Sequence, residues 1–181
     1  MYGLINKAFK TMIIEDKGDE AWVAVCKSLN SEPLDFNDFE QYDDKVTLDA
    51  ILAYSKLTGE GAEVILESFG KFWVHYTQES EYQTILHSFA SGPVELIESL
   101  DALHSRLELT FDNLTAPSFW TERESENKVL VYYSTSRELP LQFFVVGLLK
   151  GIFKMFDKPC KIEIVEDLKG VTCSFAFRVT F

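Results

Sequence analysis

Cysteine is scarce in this chain, which has three among its 181 residues: Cys26, Cys160 and Cys173. Their number is odd, they are far apart, and no pair has C-x-x-C spacing, so neither a disulfide framework nor a structural zinc site is expected. Unpaired cysteines are typical of a reducing compartment. We therefore expect a cytoplasmic protein that folds without disulfides and without zinc.

Long apolar runs and positive charge are also scarce. No apolar stretch reaches the roughly 18 residues of a membrane helix, and the N-terminal segment alternates too finely for a signal peptide. Lys and Arg number 17 against 29 Asp and Glu, for a formal net charge of -12. A surface with this much negative charge repels phosphate backbones and anionic lipid head groups. Neither nucleic acid nor a membrane is therefore an expected partner.

The motifs of common enzyme classes are missing too: the chain has no G-x-S-x-G, P-loop, G-x-G-x-x-G, H-E-x-x-H or EF-hand loop. Acidic pairs such as Asp43-Asp44 indicate a solvated face in so acidic a chain. These absences argue against a hydrolase, a kinase or a dehydrogenase. An enzyme whose site is assembled from scattered residues stays open at this point.

Aromatic residues, by contrast, are abundant, at 14% of the chain with 15 Phe. Apolar residues make up 46% and charged residues 25%, which is ordinary globular composition. A folded chain of this length buries about 70% of its unfolded surface and needs no metal or disulfide to fold. The surplus of Phe is suited either to a plain core or to the lining of a large cavity.

The first hundred residues show helical periodicity. Apolar residues recur at spacings of three and four, and caps and breakers divide the region into successive helices. Asp19 and Thr47 are the predicted N-caps of the second and third helices, and Gly59 is predicted to end the third. The helices are predicted at about 4–13, 20–29, 48–58, 62–78, 79–89 and 93–107.

After Leu107 the periodicity changes to alternation, which marks half-buried strands. Strands are predicted at 107–111, 129–133, 162–164 and 173–181, with a long apolar helix over 141–156. The fold class is therefore α+β, with an all-helical N-terminal part and a C-terminal antiparallel sheet carrying one helix. We expect a single domain over 1–181, with a helical subdomain at about 1–62 and a second subdomain at about 63–181.

His104 is the first candidate for a functional residue. It falls with Leu100 and Leu107 on one helix face, at i, i+4 and i+7. An imidazole on an apolar face is usually a buried structural residue, and the pattern alone favours that interpretation. The alternative is axial ligation of a haem iron, because a neutral imidazole in an apolar slot suits that chemistry.

The segment VYYSTSREL contains a second candidate. On a strand, Tyr133, Thr135 and Arg137 would point to one face, because side chains alternate. Two hydroxyls and a guanidinium together are suitable donors for carboxylates or phosphates. Spacing alone modestly favours the alternative, an ordinary solvent-facing strand with a surface Arg.

Around these two segments the sequence resembles the H-NOX family, the haem-nitric oxide/oxygen binding domains. The resemblance runs in order through MYGLINKAF, YDDKVTLDAILAYSK, FGKFWVHYTQESEYQTIL, LDALHSRLELTFDNLTAPSFW, VYYSTSREL and GLLKG. Each fragment is weak, but their shared order and spacing make the match specific. The resemblance implies the H-NOX fold, with one haem b per chain enclosed mainly by the C-terminal subdomain.

The resemblance implies the proximal contacts of that haem. His104, in LDALH, corresponds to the axial ligand of the iron. Pro117, in APSF, corresponds to the proline that packs on the porphyrin and distorts it. In the family, nitric oxide weakens the bond from the iron to this histidine and thereby releases its helix.

The resemblance also implies a propionate site. The family's Y-x-S-x-R motif corresponds without gaps to Tyr133, Thr135 and Arg137, with Thr in place of Ser. An alignment with a one-residue insertion would use Tyr132 and Ser134 instead, with the same Arg. The ungapped alignment is preferred because it keeps the three residues on one strand face.

Positional comparison places Ile5, Trp73, Phe144 and Leu148 near the distal face of the haem, with Phe9 close by. Members of the family that bind oxygen stably use a distal Tyr, whose counterpart here is Phe144, or Phe143 with a different gap. Bound oxygen carries partial negative charge and needs a donor, whereas nitric oxide binds ferrous iron without one. The expected preference is therefore for nitric oxide and carbon monoxide, although Trp73 or Gln142 could supply a donor.

The function implied by the resemblance is that of a haem-based gas sensor and not of an enzyme. The chain ends directly after its last strand, so output in trans is expected, to a histidine kinase or a cyclic-di-GMP enzyme. One alternative is a haem enzyme, peroxidase-like or haem-degrading, which would need a polar distal acid or base. Another is an interaction module that has lost haem, which the joint presence of His104, Pro117 and Arg137 argues against.

Overall fold

The fold was analysed in a computed structural model that describes residues 1–79, 90–107, 109, 116–137, 139–166 and 170–181. These residues form seven helices and four strands. In chain order they are α1 (Gly3–Lys17), α2 (Asp19–Ser28), α3 (Asp44–Thr58), α4 (Ala62–Gln78), α5 (Pro93–Glu98), α6 (Leu100–Leu107), β1 (Ser118–Ser125), β2 (Lys128–Ser134), α7 (Gln142–Met155), β3 (Lys161–Val165) and β4 (Phe175–Thr180). The α+β class predicted from the periodicities is confirmed.

The helices α1 to α4 enclose an aromatic core. Phe9 lies at its centre, with ring centroids 6.2 Å from Tyr54 and 5.0 Å from Phe69, both in edge-on geometry. Phe9, Tyr54 and Phe69 are each buried, so the Phe surplus partly serves packing. Within the described part of the chain, no helix is long and apolar enough to cross a membrane.

Two predicted N-caps are wrong. Asp19 is the first residue of α2, and Gly18, with φ of 83°, occupies the cap position. Asp43 caps α3, because its carboxylate accepts from the Lys45 N–H at 2.8 Å. A carboxylate before the first turn is a strong cap, so α3 begins before Thr47 and buries that residue in its interior. The predicted stop at Gly59 is confirmed, with φ of 76°.

The helix predicted over 93–107 is divided in two. Ser99 separates α5 from α6, and its hydroxyl donates to the Glu95 carbonyl at 2.7 Å. A serine hydroxyl that donates to a carbonyl of the preceding turn bends a helix, so α6 runs in a different direction from α5. The strand predicted at 107–111 is wrong at its start, because Leu107 ends α6 and Leu109 lies in a turn. Positions 110–111, and most of the helix predicted at 79–89, lie outside the described residues.

The four strands form one antiparallel sheet in the order β1-β2-β4-β3. The predictions of β2, β3 and β4 are confirmed, whereas β1 was not predicted. As an edge strand, β1 has a largely exposed second half and lacks the regular apolar alternation of a half-buried strand. The inner face of the sheet packs against α7 through buried residues such as Val131, Phe177 and Phe153.

The helices α4 and α7 cross with their backbones in direct contact. A Cβ atom added at Gly147 would lie 2.0 Å from the Glu67 carbonyl oxygen, and one at Gly70 would lie 2.0 Å from the Phe144 carbonyl oxygen. The two helices thus hold Trp73 and Phe144 at a fixed separation. Phe69 of α4 belongs to the aromatic core of α1 to α4, which we call the helical core. Val74 of α4 belongs to the core between the sheet and α7, which we call the sheet-side core, so α4 takes part in both halves.

Candidate functional site

A cavity of about 270 Å³ lies between the helical core and the sheet-side core. Its wall is formed by α1, α3, α4 and α7 on one side and by α5, α6 and the start of the sheet on the other. Apolar side chains dominate: Leu4, Ile5, Leu48, Ile51, Leu66, Phe69, Val74, Leu96, Leu100, Leu103, Leu107, Phe119, Phe144, Leu148 and Ile152. Such a space suits a large, flat, apolar ligand.

His104 lies half-buried in the wall of this cavity, on α6. Its Nδ1 is 3.0 Å from the carbonyl oxygen of Pro117, which also lines the cavity. A carbonyl can only accept, so Nδ1 carries the proton and Nε2 keeps the lone pair that binds a metal ion. The contact with the Pro117 carbonyl orients the ring, whose centroid lies 6.2 Å from that of Phe119 at the start of β1.

Tyr133, Thr135 and Arg137 line the same cavity. The expectation that all three lie on one strand is wrong, because β2 ends at Ser134. The chain turns there, and the Thr135 hydroxyl accepts from the Arg137 N–H at 3.2 Å, which directs both side chains back to the cavity. Burial raises the pKa of Tyr133 against the smaller opposing effects of the Thr135 hydroxyl and the Arg137 charge, so the phenol stays a neutral donor.

The gapped alternative for this motif has a different geometry. Tyr132 faces the opposite side of the sheet, where its hydroxyl donates to Glu122 at 2.9 Å. Its ring stacks on that of Trp120, with the ring centroids 5.3 Å apart. Neither Tyr132 nor Ser134 is among the residues that line the cavity. The geometry therefore favours the ungapped set as the group of donors facing the cavity.

Arg137 joins the two halves of the protein through Asp44. The guanidinium bonds to Asp44 Oδ1, which also accepts from the Met1 amine at 2.5 Å. Burial acts to raise the pKa of Asp44, but the bonds from the Met1 amine and Arg137 outweigh it and hold that pKa below its ordinary value. The interpretation of Asp44 as part of a solvated face is therefore wrong.

We expect Asp44→Asn to lower the free energy of unfolding at neutral pH by about 1–2 kcal/mol, because it removes the carboxylate that pairs with two cations. The folded-state pKa of Asp44 lies below its ordinary value of 3.8, so this contribution is present above that value and disappears as the pH falls through the folded pKa. The free energies of unfolding of the wild type and Asp44→Asn, measured by urea titration, should become equal in acid. Asp43→Asn, an exposed cap where Asn serves equally well, should change little.

Four of the five residues expected at the distal face line the cavity: Ile5, Trp73, Phe144 and Leu148. Phe9 does not, because it is buried one layer behind, against Phe69. The ring centroids of Phe144 and Phe69 are 5.2 Å apart, and both Phe143 and Phe144 pack against the helical core, but Phe143 does not line the cavity. Gln142 is also absent from the wall, and its Oε1 is buried without a partner among the described residues.

These side chains fit a haem. One imidazole offers Nε2 for an axial bond, apolar walls suit a porphyrin ring, and donors at one end suit its two carboxylates. Among the described residues, no group of three or more His, Cys, Asp or Glu lies together as the ligands of a bare metal ion would.

Asp44 was not predicted from the sequence as a residue of the site. It contacts Arg137 across 93 positions, a separation that no local pattern reveals.

The family model described as haem-NO-binding matches residues 2–164 of this chain, which is most of its length. The chain belongs to the H-NOX family. Its fold and its place among haem-binding gas-sensor domains are thereby established, as the resemblance of its sequence motifs had indicated.

Curated relatives of the chain include soluble guanylate cyclases. Soluble guanylate cyclase 89Da of Drosophila melanogaster is 23% identical over 176 residues, which covers 95% of this chain and 26% of the relative. The beta-2 subunit of soluble guanylate cyclase from Rattus norvegicus is 32% identical over 105 residues, or 58% of this chain and 15% of the relative. The chain thus spans about a quarter or less of the length of these proteins.

Solved structures of H-NOX proteins share the fold over the whole chain. A Cs H-NOX variant has a TM-score of 0.85 at 20% identity and covers 100% of this chain and 96% of its own. An oxygen-binding H-NOX domain related to soluble guanylate cyclases, solved as its oxygen complex, has a TM-score of 0.80 at 20% identity, covering 100% and 95%. The expected H-NOX fold is confirmed.

Proposed function

We propose that this protein is a haem-based gas sensor that holds one haem b, with His104 as the axial ligand, and prefers nitric oxide and carbon monoxide to oxygen. The observation that carries the proposal is the His104 imidazole, held at Nδ1 by the Pro117 carbonyl 3.0 Å away and facing an apolar cavity with Arg137 at one end. The haem would supply the ferrous iron at which a diatomic gas binds.

Residues on two sides of the cavity would hold the haem. Tyr133, Thr135 and Arg137 would bind the propionates, since charge-assisted hydrogen bonds to a carboxylate are each worth about 1.5–3 kcal/mol. Pro117, which lines the cavity next to the His104 contact, would press on the porphyrin ring. Arg137 can serve a propionate and Asp44 together, because a guanidinium carries five N–H donors.

The distal wall supports the gas preference. Ile5, Phe144 and Leu148 offer no hydrogen to a bound oxygen, and Trp73, whose indole stacks on Tyr76 with ring centroids 6.3 Å apart, is the one of the four with an N–H donor. A distal acid or base, which a peroxidase-like enzyme requires, is missing from the described part of this wall. A sensor without catalysis is therefore the better-supported function.

We expect Phe144→Tyr to convert the ferrous protein into one that binds oxygen stably. The new hydroxyl would donate to the partly negative oxygen, and a charge-assisted bond of this kind strengthens binding by about tenfold or more. The measurement is the absorption spectrum of the ferrous protein in air. Phe143→Tyr is the matched control, because Phe143 is not among the residues that line the cavity, so its substitution should leave oxygen binding unchanged.

Two connections would carry the binding event through the fold. Asp101, on the same helix as His104, accepts from the Phe119 N–H of β1 at 2.7 Å, so a movement of α6 acts on the sheet. Arg137 couples the sheet side to α3 and the N-terminus through Asp44. Departure of His104 from the iron would then alter the relation between the halves, which a partner can read.

This protein would signal in trans, to a separate partner protein. We propose a histidine kinase or a cyclic-di-GMP enzyme, to which this acidic chain would present its negative surface as a complement to a basic patch. The three free cysteines are consistent with a cytoplasmic location.

An absorption spectrum of the purified ferrous protein with and without nitric oxide tests the proposal. A Soret band that shifts on addition of nitric oxide to the position of a five-coordinate complex supports both the haem and the release of His104. A stable oxygen complex in air would contradict the gas preference. A protein without any haem band would leave an interaction module as the function.

A further inference from the structure

Asn6 and Thr47 form a polar pair inside an apolar wall. Each is 3% exposed, and they are the two buried polar residues among those that the structure describes. The Thr47 hydroxyl donates to Asn6 Oδ1 at 2.6 Å, across 41 positions of the chain. Thr47 lines the cavity, whereas Asn6 lies behind it on α1.

The pair is incomplete as it stands. Asn6 Nδ2 is buried and has no hydrogen-bond partner among the described residues. A buried amide without a partner is costly, and two apolar side chains of similar shape would avoid that cost. Reversing the orientation of the Asn6 amide is an arrangement of the same two residues that leaves no N–H of the pair without a partner.

Rotation of the Asn6 amide by half a turn supplies that arrangement. Nδ2 then donates to Thr47 Oγ1, with the pair lengthening from 2.6 Å to an ordinary N–H···O distance of about 2.9 Å. The Thr47 hydroxyl hydrogen is thereby released and can be donated into the cavity. What remains unsatisfied at Asn6 is a carbonyl oxygen, which is tolerated better than an N–H.

The position of Thr47 identifies the acceptor. Thr47 follows Asp44 by three residues in α3, so both side chains lie on the same helix face. Asp44 holds Arg137 and the Met1 amine, so this face of α3 lies at the end of the cavity where the cationic donors gather. An anionic oxygen of the ligand is the acceptor that this end is suited to bind.

We propose that Thr47, oriented by Asn6, donates a hydrogen bond from the helical side of the cavity to a propionate of the haem. The inference rests on the proposed function, because it needs a haem in the cavity. It adds a propionate contact from α3, outside the Tyr133, Thr135 and Arg137 group, so that both halves of the protein hold the same carboxylates.

The test compares the wild type with the double variant Asn6→Leu/Thr47→Val, which removes both polar groups and so avoids a stranded amide. Loss of haem to an excess of apomyoglobin should be about tenfold faster in the double variant, the effect of one lost charge-assisted bond. Urea unfolding of the haem-free proteins should show the double variant to be as stable as the wild type or more so. A purely structural pair would instead destabilise the haem-free protein when removed.

Three controls make the assignment specific. Thr47→Ser keeps the hydroxyl and should restore slow haem loss. Thr77→Val removes another hydroxyl of the cavity wall, but one that donates to the Trp73 and Val74 carbonyls at 3.0 and 2.9 Å, and should leave haem loss unchanged. With haem dimethyl ester, which lacks the carboxylates, the wild type and the double variant should lose the cofactor at rates within about twofold of each other.

Equal haem loss from the wild type and the double variant would overturn the inference. So would a difference that persists with the dimethyl ester, which would assign the pair to packing or to a trapped water. A change in carbon monoxide or oxygen affinity with unchanged haem loss would assign the hydroxyl to the bound gas and likewise overturn it. A wild type that takes up no haem would overturn the proposed function, and this inference with it.

Discussion

Replacing His104 with Gly is expected to abolish the normal haem spectrum of the protein. The imidazole is the group in the cavity wall whose tautomer is set for an axial bond, with Nδ1 bound to the Pro117 carbonyl at 3.0 Å. Glycine leaves a gap where Nε2 would have been, and the porphyrin would be held by its propionates and apolar contacts alone. The measurement is the absorption spectrum of the ferrous protein after reconstitution with haem.

Added imidazole provides a decisive extension of this experiment. Free imidazole should enter the gap left by His104→Gly and restore an axially ligated spectrum, without the covalent link to α6. Nitric oxide could then displace the ligand while the helix stays unaffected. His75→Gly is the matched control, because His75 is an exposed histidine of α4 that pairs with Glu79, and it should keep the wild-type spectrum. An unchanged Soret band in the His104 variant would refute its assignment as the ligand.

The second large effect is expected on stability, from Gly147→Ala. The new Cβ would lie 2.0 Å from the Glu67 carbonyl oxygen, so α4 and α7 would have to separate. Overpacking of this kind typically costs about 1–3 kcal/mol and occasionally more, and it exceeds the roughly 1 kcal/mol that Ala gains over Gly in a helix. We expect a net loss of up to about 2 kcal/mol in the free energy of unfolding, measured by urea titration.

Gly151→Ala is the control for this variant in the same helix. Its Cβ would meet Cβ and Cγ2 of Val74 at 3.0 Å, contacts that a shift of a few tenths of an ångström relieves, so the helix-forming gain of Ala offsets much of the cost. If Gly147→Ala were as stable as Gly151→Ala, the direct backbone contact between the two helices would be contradicted. Because Trp73 and Phe144 lie on these helices, the Gly147 variant should also widen the distal side of the cavity.

Elements defined by short-range chemistry could be predicted well. The bounds of α4 were predicted at 62–78, and its apolar face and the glycine-rich stretch before it account for that. The strands β2, β3 and β4 were recognised from alternation, since each has one face against α7. The edge strand β1 was not predicted, because one of its two faces is solvated and the residues of its second half are exposed.

Parts of the candidate site could be predicted for a different reason. His104, Pro117 and Arg137 were found because the spacing of their segments resembles a known family, while local patterns alone favoured a structural role for His104. The choice between Tyr132 and Tyr133 needed the sheet, since the two neighbours differ in the face to which they point. Phe9 was expected at the distal face and lies one layer too deep, because helical spacing defines a direction but not a depth.

Composition, periodicity and motif order were enough to predict an acidic α+β protein that resembles the H-NOX family, with His104 and Arg137 as candidate site residues. These properties depend on neighbours within a few residues, where hydrogen-bond spacing and side-chain period are constant. The pairing of Asp44 with Arg137 and of Asn6 with Thr47 depended on the folded chain. They join residues 93 and 41 positions apart, and whether such groups meet is decided by how the helices and the sheet pack.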